Sequence, residues 1–243
     1  MVAFNDNLVL ISGISGSGKS ASLRTIKNPK GVMYLNTEAN KKLPFPTQFE
    51  CYNATDPLYL RDAIIAAEDM PHIHTIVVDS LTFMMDRFES LYISGATDTM
   101  KGWADYNQFF KQLMQETVAS STKNVYFLAH TLAILNENEA VMEVKVPIKG
   151  ALKNNGIEAY FSTVVSTKKV TIKELEKYSS PLLNITEEER ELGYKHCYQT
   201  RLTKKTVNDR IRAPMGMWSI SETYIDNNVE FLTQRLHEYY AVI

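Results

Sequence analysis

The segment Gly13-Ile14-Ser15-Gly16-Ser17-Gly18-Lys19-Ser20 constrains this chain more than any other stretch. Residues 8–12 before it are a short apolar run, and residues 21–26 after it continue with helical spacing, so it reads as the turn between a buried strand and a helix. Glycines at 13, 16 and 18 let the loop turn its backbone N–H groups inward, while the following helix offers its positive end to the same anion. In that setting Lys19 places an ammonium at the β- and γ-phosphates and the Ser20 hydroxyl is a ligand for Mg²⁺. Gly13, Ser15, Gly16, Ser17, Gly18, Lys19, Ser20 and Ala21 are the expected contacts to ATP. The glycine order differs from the G-x-G-x-x-G of dinucleotide sites, which carry no lysine.

Strands and helices continue to alternate. Residues 32–36 form a second apolar run, 58–70 has helical spacing that stops at Pro71, and Thr75-Ile76-Val77-Val78-Asp79 is the clearest buried strand. Helical spacing over 81–93 and 104–120 flanks a loop at 94–102, and 124–129 returns as a strand. This order predicts an α/β fold, a mainly parallel sheet with helices on both faces. After His130 the pattern alternates through 133–135 and 141–146 about a polar turn at 136–139, which reads as a hairpin. Later strands at 161–167 and 198–202 and a helix at 228–240 complete an antiparallel C-terminal extension. The charged stretch 171–195 is expected to insert at the surface.

Three further residues fall where strands end. Asp79 closes its strand where a carboxylate can hold a magnesium-bound water, although an aspartate before a helical run can also be a cap. Hydrolysis needs a carboxylate to orient and deprotonate water, and Ser80 is not one; Glu38, just past the second strand, is the candidate, with a solvated loop residue as the plainer alternative. His130 ends the strand at 124–129 as a candidate sensor of the γ-phosphate or a structural histidine.

Composition sets limits. With a formal charge of −2, no global positive field draws the chain to nucleic acid or anionic membrane, so any such contact is local. Cys51 and Cys197, far apart, fit a reducing compartment and are read as buried thiols. No apolar run reaches 18 residues and the N-terminus lacks a basic region followed by an apolar one, giving an expectation of a cytoplasmic protein without membrane contact.

Together these positions resemble the RecA-type ATPases, in particular short phage ATPases with a RecA core that act in single-strand annealing and recombination. The resemblance is carried by Tyr34-Leu35-Asn36-Thr37-Glu38 at the catalytic glutamate strand, Ile76-Val77-Val78-Asp79-Ser80 at Walker B, and Phe127-Leu128-Ala129-His130 where RecA has a glutamine sensor. Gly150-Ala151-Leu152-Lys153 looks like the segment after the family's second DNA loop. Arg210-Ile211-Arg212-Ala213-Pro214-Met215 is similar to a basic stretch whose cation reaches the neighbouring subunit's γ-phosphate. The resemblance implies one RecA-like ATPase domain over 1–243: a core of about 5–170, an insertion of about 171–195 and C-terminal strands and helix over about 196–243. It implies ATP between subunits of a ring or filament, Glu38 as base, and Arg210 or Arg212 completing the site in trans. His130 replaces glutamine and the long N-terminal polymerisation segment of RecA has no counterpart, which weakens the case for strand exchange.

By the same pattern single-stranded DNA would meet loops at about 94–103 and 131–149, through Lys101, Trp103, Lys145 and Lys149. Trp103 packed in the core is the plainer alternative. The implied protein is a DNA-stimulated ATPase of annealing or recombination, in the host cytoplasm if phage-encoded, with a single-strand binding protein as a further candidate partner. The rivals are a helicase-like motor and a small-molecule kinase. A GTPase is disfavoured, because no D-x-x-G follows the Asp79 strand.

Overall fold

The computed structural model describes residues 5–137 and 139–241. The N-terminal reading at residues 1–4 and the Asn138 position of the hairpin turn lie outside them.

In chain order the elements are β1 (Leu8–Gly13), α1 (Lys19–Ser22), β2 (Val32–Asn36), β3 (Glu50–Asn53), α2 (Pro57–Glu68), β4 (Thr75–Asp79), α3 (Leu81–Phe88), α4 (Thr99–Gln112), β5 (Asn124–His130), β6 (Leu132–Asn136), β7 (Val141–Lys145), β8 (Thr163–Thr171), α5 (Ile172–Leu175), α6 (Glu187–Leu192), β9 (Tyr194–Gln199), β10 (Tyr224–Asp226) and α7 (Val229–Tyr240). Eight strands form one sheet in the order β10-β9-β8-β1-β5-β4-β2-β3, and β6 pairs with β7 separately. From β8 to β3 all neighbours run parallel, whereas β9 and β10 are antiparallel additions at one edge. This is the fold class expected from the alternation.

The strand sequences explain the layering. In β1 and β4 successive side chains point to opposite faces and nearly all are apolar, as a sheet covered on both sides requires. Leu10, Ile76, Val78, Val125 and Phe127 join Leu60 and Ile64 of α2, Leu81 and Met84 of α3 and Phe110 of α4 in one core. Val9, Ile11, Val77, Tyr126 and Leu128 face the other way, against Leu23, Trp218 and Val229, Leu232 and Leu236 of α7. Caps set where the longer helices begin. Asp56 accepts from Leu58 N at 2.8 Å with Pro57 at the first position, Asp98 accepts from Lys101 N at 2.9 Å, and Asn228 accepts from Glu230 N at 3.0 Å. Each such cap contributes about 1 kcal/mol.

Several expectations change. Lys101 and Trp103 do not sit in a loop: Asp98 caps α4, which starts at Thr99 and carries both. The stretch after Thr131 is the β6–β7 hairpin that the alternation indicated, so the second DNA loop implied at 131–149 is largely strand. Only Cys197 is buried; Cys51 is exposed, because β3 is an edge strand with alternate residues facing out. The 171–195 stretch is mostly exposed or half-buried and is inserted between β8 and β9. Its ends are paired, Thr171 with Tyr194, so residues 172–193 form an excursion at the tip of the β8–β9 hairpin. Among the described residues no helix is long and apolar enough to cross a membrane.

Candidate active site

Parallel pairing brings the carboxyl ends of four strands together, the usual ligand position in such sheets. Gly13 of β1 is level with His130 of β5, and Asn36 of β2 with Asp79 of β4. Around these ends lies a cavity of about 770 Å³ lined on one side by Ser15, Gly16, Gly18, Lys19, Ser20 and Ala21, with Tyr34, Glu38, Lys41, Asp79 and His130 beside them.

The loop is shaped from behind. A Cβ at Gly13 would lie 2.2 Å from Thr167 Oγ1, so only glycine lets β1 turn here against β8. Ser17 is buried and its hydroxyl lies 2.6 Å from Thr167 Oγ1 while donating to Ile14 O at 2.8 Å. Gly13 and the Ser17 side chain therefore brace the loop from behind, and neither residue lines the cavity. Gly18, at φ +104°, begins α1.

Lys19 is 6% exposed and its ammonium donates to Gly13 O at 2.8 Å, to Ile14 O at 3.0 Å and towards His130 Nδ1 at 3.4 Å. Burial is the main cause that lowers its pKa to about 8, against the raising effect of Asp79 and Glu38. A polyanion is the guest that would favour its charged form.

Asp79 is not a helix cap. Ser80 occupies the cap position of α3, and Asp79 Oδ2 accepts from Ser20 Oγ at 2.8 Å and from Tyr34 OH at 2.7 Å. Burial raises its pKa, partly offset by those two donors. Its other oxygen, Oδ1, is buried without a hydrogen-bond partner. A buried carboxylate with an orphan oxygen next to a loop serine fits a magnesium-bound water, so Ser20 and Asp79 are the residues that would hold Mg²⁺. Among the described residues no cluster of three or more His, Cys, Asp or Glu could hold an ion alone. Magnesium sites completed by substrate phosphates and water need no such cluster.

Glu38 is fixed by its neighbours. Thr37 Oγ1 donates to Ser80 O and accepts from Ser80 N, both at 2.7 Å, which ties the loop after β2 to the end of β4. The Glu38 carboxylate, 7% exposed, accepts from His130 Nε2 at 2.9 Å and from Lys41 Nζ at 2.7 Å. Burial raises its pKa, but the His130 and Lys41 hydrogen bonds outweigh it and hold the group at about 2. Lys19 can only donate and Glu38 only accept, so these contacts assign the His130 proton to Nε2. The imidazole then bridges the loop lysine and the carboxylate. Tyr34 and Lys41 were not anticipated from sequence: Tyr34 reaches Asp79 through the pairing of β2 with β4, and Lys41 meets Glu38 by the local turn of the loop after β2.

The remaining candidates lie elsewhere. Arg210 and Arg212 are exposed and neither lines the cavity of its own chain; Arg210 donates to Glu143 at 2.9 Å. Lys145 also donates to Glu143, at 3.0 Å, and Lys149 to Glu89, so both cations expected at DNA are balanced by carboxylates. Trp103 is half-buried, packed edge-on to Tyr106 with Gly150 against its ring, closer to the core alternative than to a free platform. Lys101 is exposed.

The family model described as an AAA domain matches residues 5–206. The chain belongs to this AAA-domain family. Membership makes it a P-loop ATPase by class, in agreement with the loop, the Asp79 strand and the cavity between them. No curated protein matches the chain. Among solved structures, a KaiC-like protein from the hyperthermophilic archaeon Pyrococcus horikoshii is similar over 84% of this chain and 82% of its own, at 12% identity and a TM-score of 0.45, too loose an overlap to carry function.

Proposed function

We propose that this chain, acting as one RecA-type domain, binds ATP with Mg²⁺ and hydrolyses it. The observation that carries this reading is the convergence of Lys19, Asp79, Glu38 and His130 on a single cavity. Lys19 draws the β- and γ-phosphates, Ser20 and Asp79 hold the metal, which screens phosphate charge when bound, and Glu38 receives the proton of the attacking water. In the free site each Glu38 oxygen accepts one hydrogen bond, from His130 or Lys41, and keeps a second lone pair for the attacking water. The γ-phosphate is a natural competitor for either of these donors.

Further, the active form is an oligomer in which Arg210 or Arg212 of one copy meets the nucleotide of the next, and its activity serves single-strand DNA annealing or recombination. Two contacts support a link between nucleotide and DNA sides. The β6–β7 hairpin starts two residues after His130, and its Glu143 holds Arg210. DNA phosphates that compete for Lys145 would change the charge around Glu143 and so the freedom of Arg210.

The test is ATP turnover with and without single-stranded DNA, with particle size recorded in parallel. Stimulation by DNA together with assembly supports the full reading. Turnover indifferent to DNA and to Lys145→Ala with Lys149→Ala refutes the DNA role and leaves the ATPase. Phosphate passed to a metabolite instead of water identifies a kinase.

A further inference from the structure

The nucleotide cavity is larger than its phosphate end. Beyond the phosphate loop and Glu38 it is also bounded by α6, by the start of β9 and by the residues that follow β10. None of these belongs to the phosphate loop, yet they are bolted to it. His196 Nδ1 donates to Ser17 O at 2.8 Å, and Asn227 Nδ2 donates to Gly18 O at 2.9 Å. The wall is itself braced: Thr186 and Glu189 close a capping box on α6, and buried Lys195 joins Glu189 at 2.6 Å to Asp226 at 3.2 Å.

Two features of this wall ask for an occupant. Leu192 is 59% and Tyr194 37% exposed, an apolar pair on the border of the cavity. Asn227 is 95% buried by its 5% exposure, and its Oδ1 has no hydrogen-bond partner. An acceptor is wrong for a phosphate and right for a hydroxyl or an amine. The Nδ2 contact to Gly18 puts Asn227 beside the loop, where the sugar follows the α-phosphate, while Leu192 at the end of the excursion and Tyr194 at the start of β9 bound the cavity.

We propose that the 172–193 excursion together with Tyr194 and Asn227 forms the nucleoside-recognition wall of the site, with Leu192 and Tyr194 against the flat face of the base and Asn227 Oδ1 accepting from a ribose hydroxyl. The assignment rests on the ATP-binding reading above. It adds the part of the ligand read beyond the phosphates and gives the excursion a function.

Calorimetric titration separates the two. Magnesium complexes of ATP, 2′,3′-dideoxy-ATP and inorganic tripolyphosphate are titrated into wild type, Leu192→Ala with Tyr194→Ala, and Asn227→Ala. The wall predicts that the double variant loses about tenfold or more in ATP affinity while tripolyphosphate affinity stays within about twofold; retained tripolyphosphate binding shows that the loop is folded. Wild type should prefer ATP to the dideoxy compound by roughly threefold to tenfold, the range of one net hydrogen bond, and Asn227→Ala should erase that preference. Unchanged ATP affinity in the double variant overturns the base contact, and an unchanged preference in Asn227→Ala overturns the sugar contact. Wild type that binds tripolyphosphate as tightly as ATP overturns the wall alone, whereas wild type that binds neither overturns the phosphate cradle with it.

Discussion

Replacing Glu38 by glutamine keeps the shape of the side chain and removes its charge. In the folded protein the carboxylate pKa falls from 4.5 to about 2 through His130 and Lys41, against burial. That fall corresponds to about 3 kcal/mol at about 1.4 kcal/mol per tenfold, and Lys41 is 61% exposed, so solvent screens the contribution to about 1–2 kcal/mol. Because the folded pKa lies below the unfolded one, this stabilisation is complete above pH 4.5 and is lost as pH falls from 4.5 towards 2. Urea unfolding should therefore show Glu38→Gln less stable by about 1–2 kcal/mol at pH 7, with the gap shrinking once the pH drops below 4.5. Loss of the base should lower steady-state ATP hydrolysis by about 10²–10⁴, with ATP binding by calorimetry retained. A variant that turns over ATP within about threefold of wild type would remove Glu38 from the chemistry, since positioned bases contribute far more than that.

Other expectations follow from the same geometry. Lys19→Ala should abolish ATP·Mg²⁺ binding, and in wild type the affinity should weaken as pH rises from 7 to about 9.5, because the free-site ammonium titrates near 8; constant affinity over that range would contradict a buried, partly desolvated Lys19. Tyr34→Phe removes a hydroxyl from the buried Asp79 carboxylate and should cost about 1.5–3 kcal/mol in urea unfolding, together with a weaker magnesium dependence of ATP binding. Arg210→Ala with Arg212→Ala should leave ATP binding by isolated subunits intact and depress hydrolysis in the assembled state; unchanged turnover there rejects the trans role.

The phosphate loop and the ends of β2, β4 and β5 were legible in the sequence because each is a local signal: a glycine spacing, or an apolar run that stops at a polar residue. What escaped was long-range. Tyr34 reaches Asp79 only because β2 and β4 pair with Asn36 level with Asp79, and no local pattern states that register. Asn227 meets Gly18 across 209 positions, so the nucleoside side of the cavity had no trace in the phosphate motif. β3 and β10, of four and three residues, are too short for periodicity to mark. β9 begins at Tyr194, earlier than the expected 198, because its first residues are polar and face the cavity or an ion pair. Lys145 and Lys149 stand in sequence among the carboxylates of Glu137, Glu139 and Glu143, and only the fold pairs Lys145 with Glu143 and Lys149 with the distant Glu89.

The excursion between β8 and β9 leaves and re-enters the sheet through two residues that face each other, Thr171 and Tyr194. Its length is thus decoupled from the framework, as for any insertion at the tip of a hairpin, where loop closure varies only slowly with the number of residues. A lineage could shorten, lengthen or exchange these residues, retuning which ligand is admitted, and leave Glu38 and Asp79 where they are.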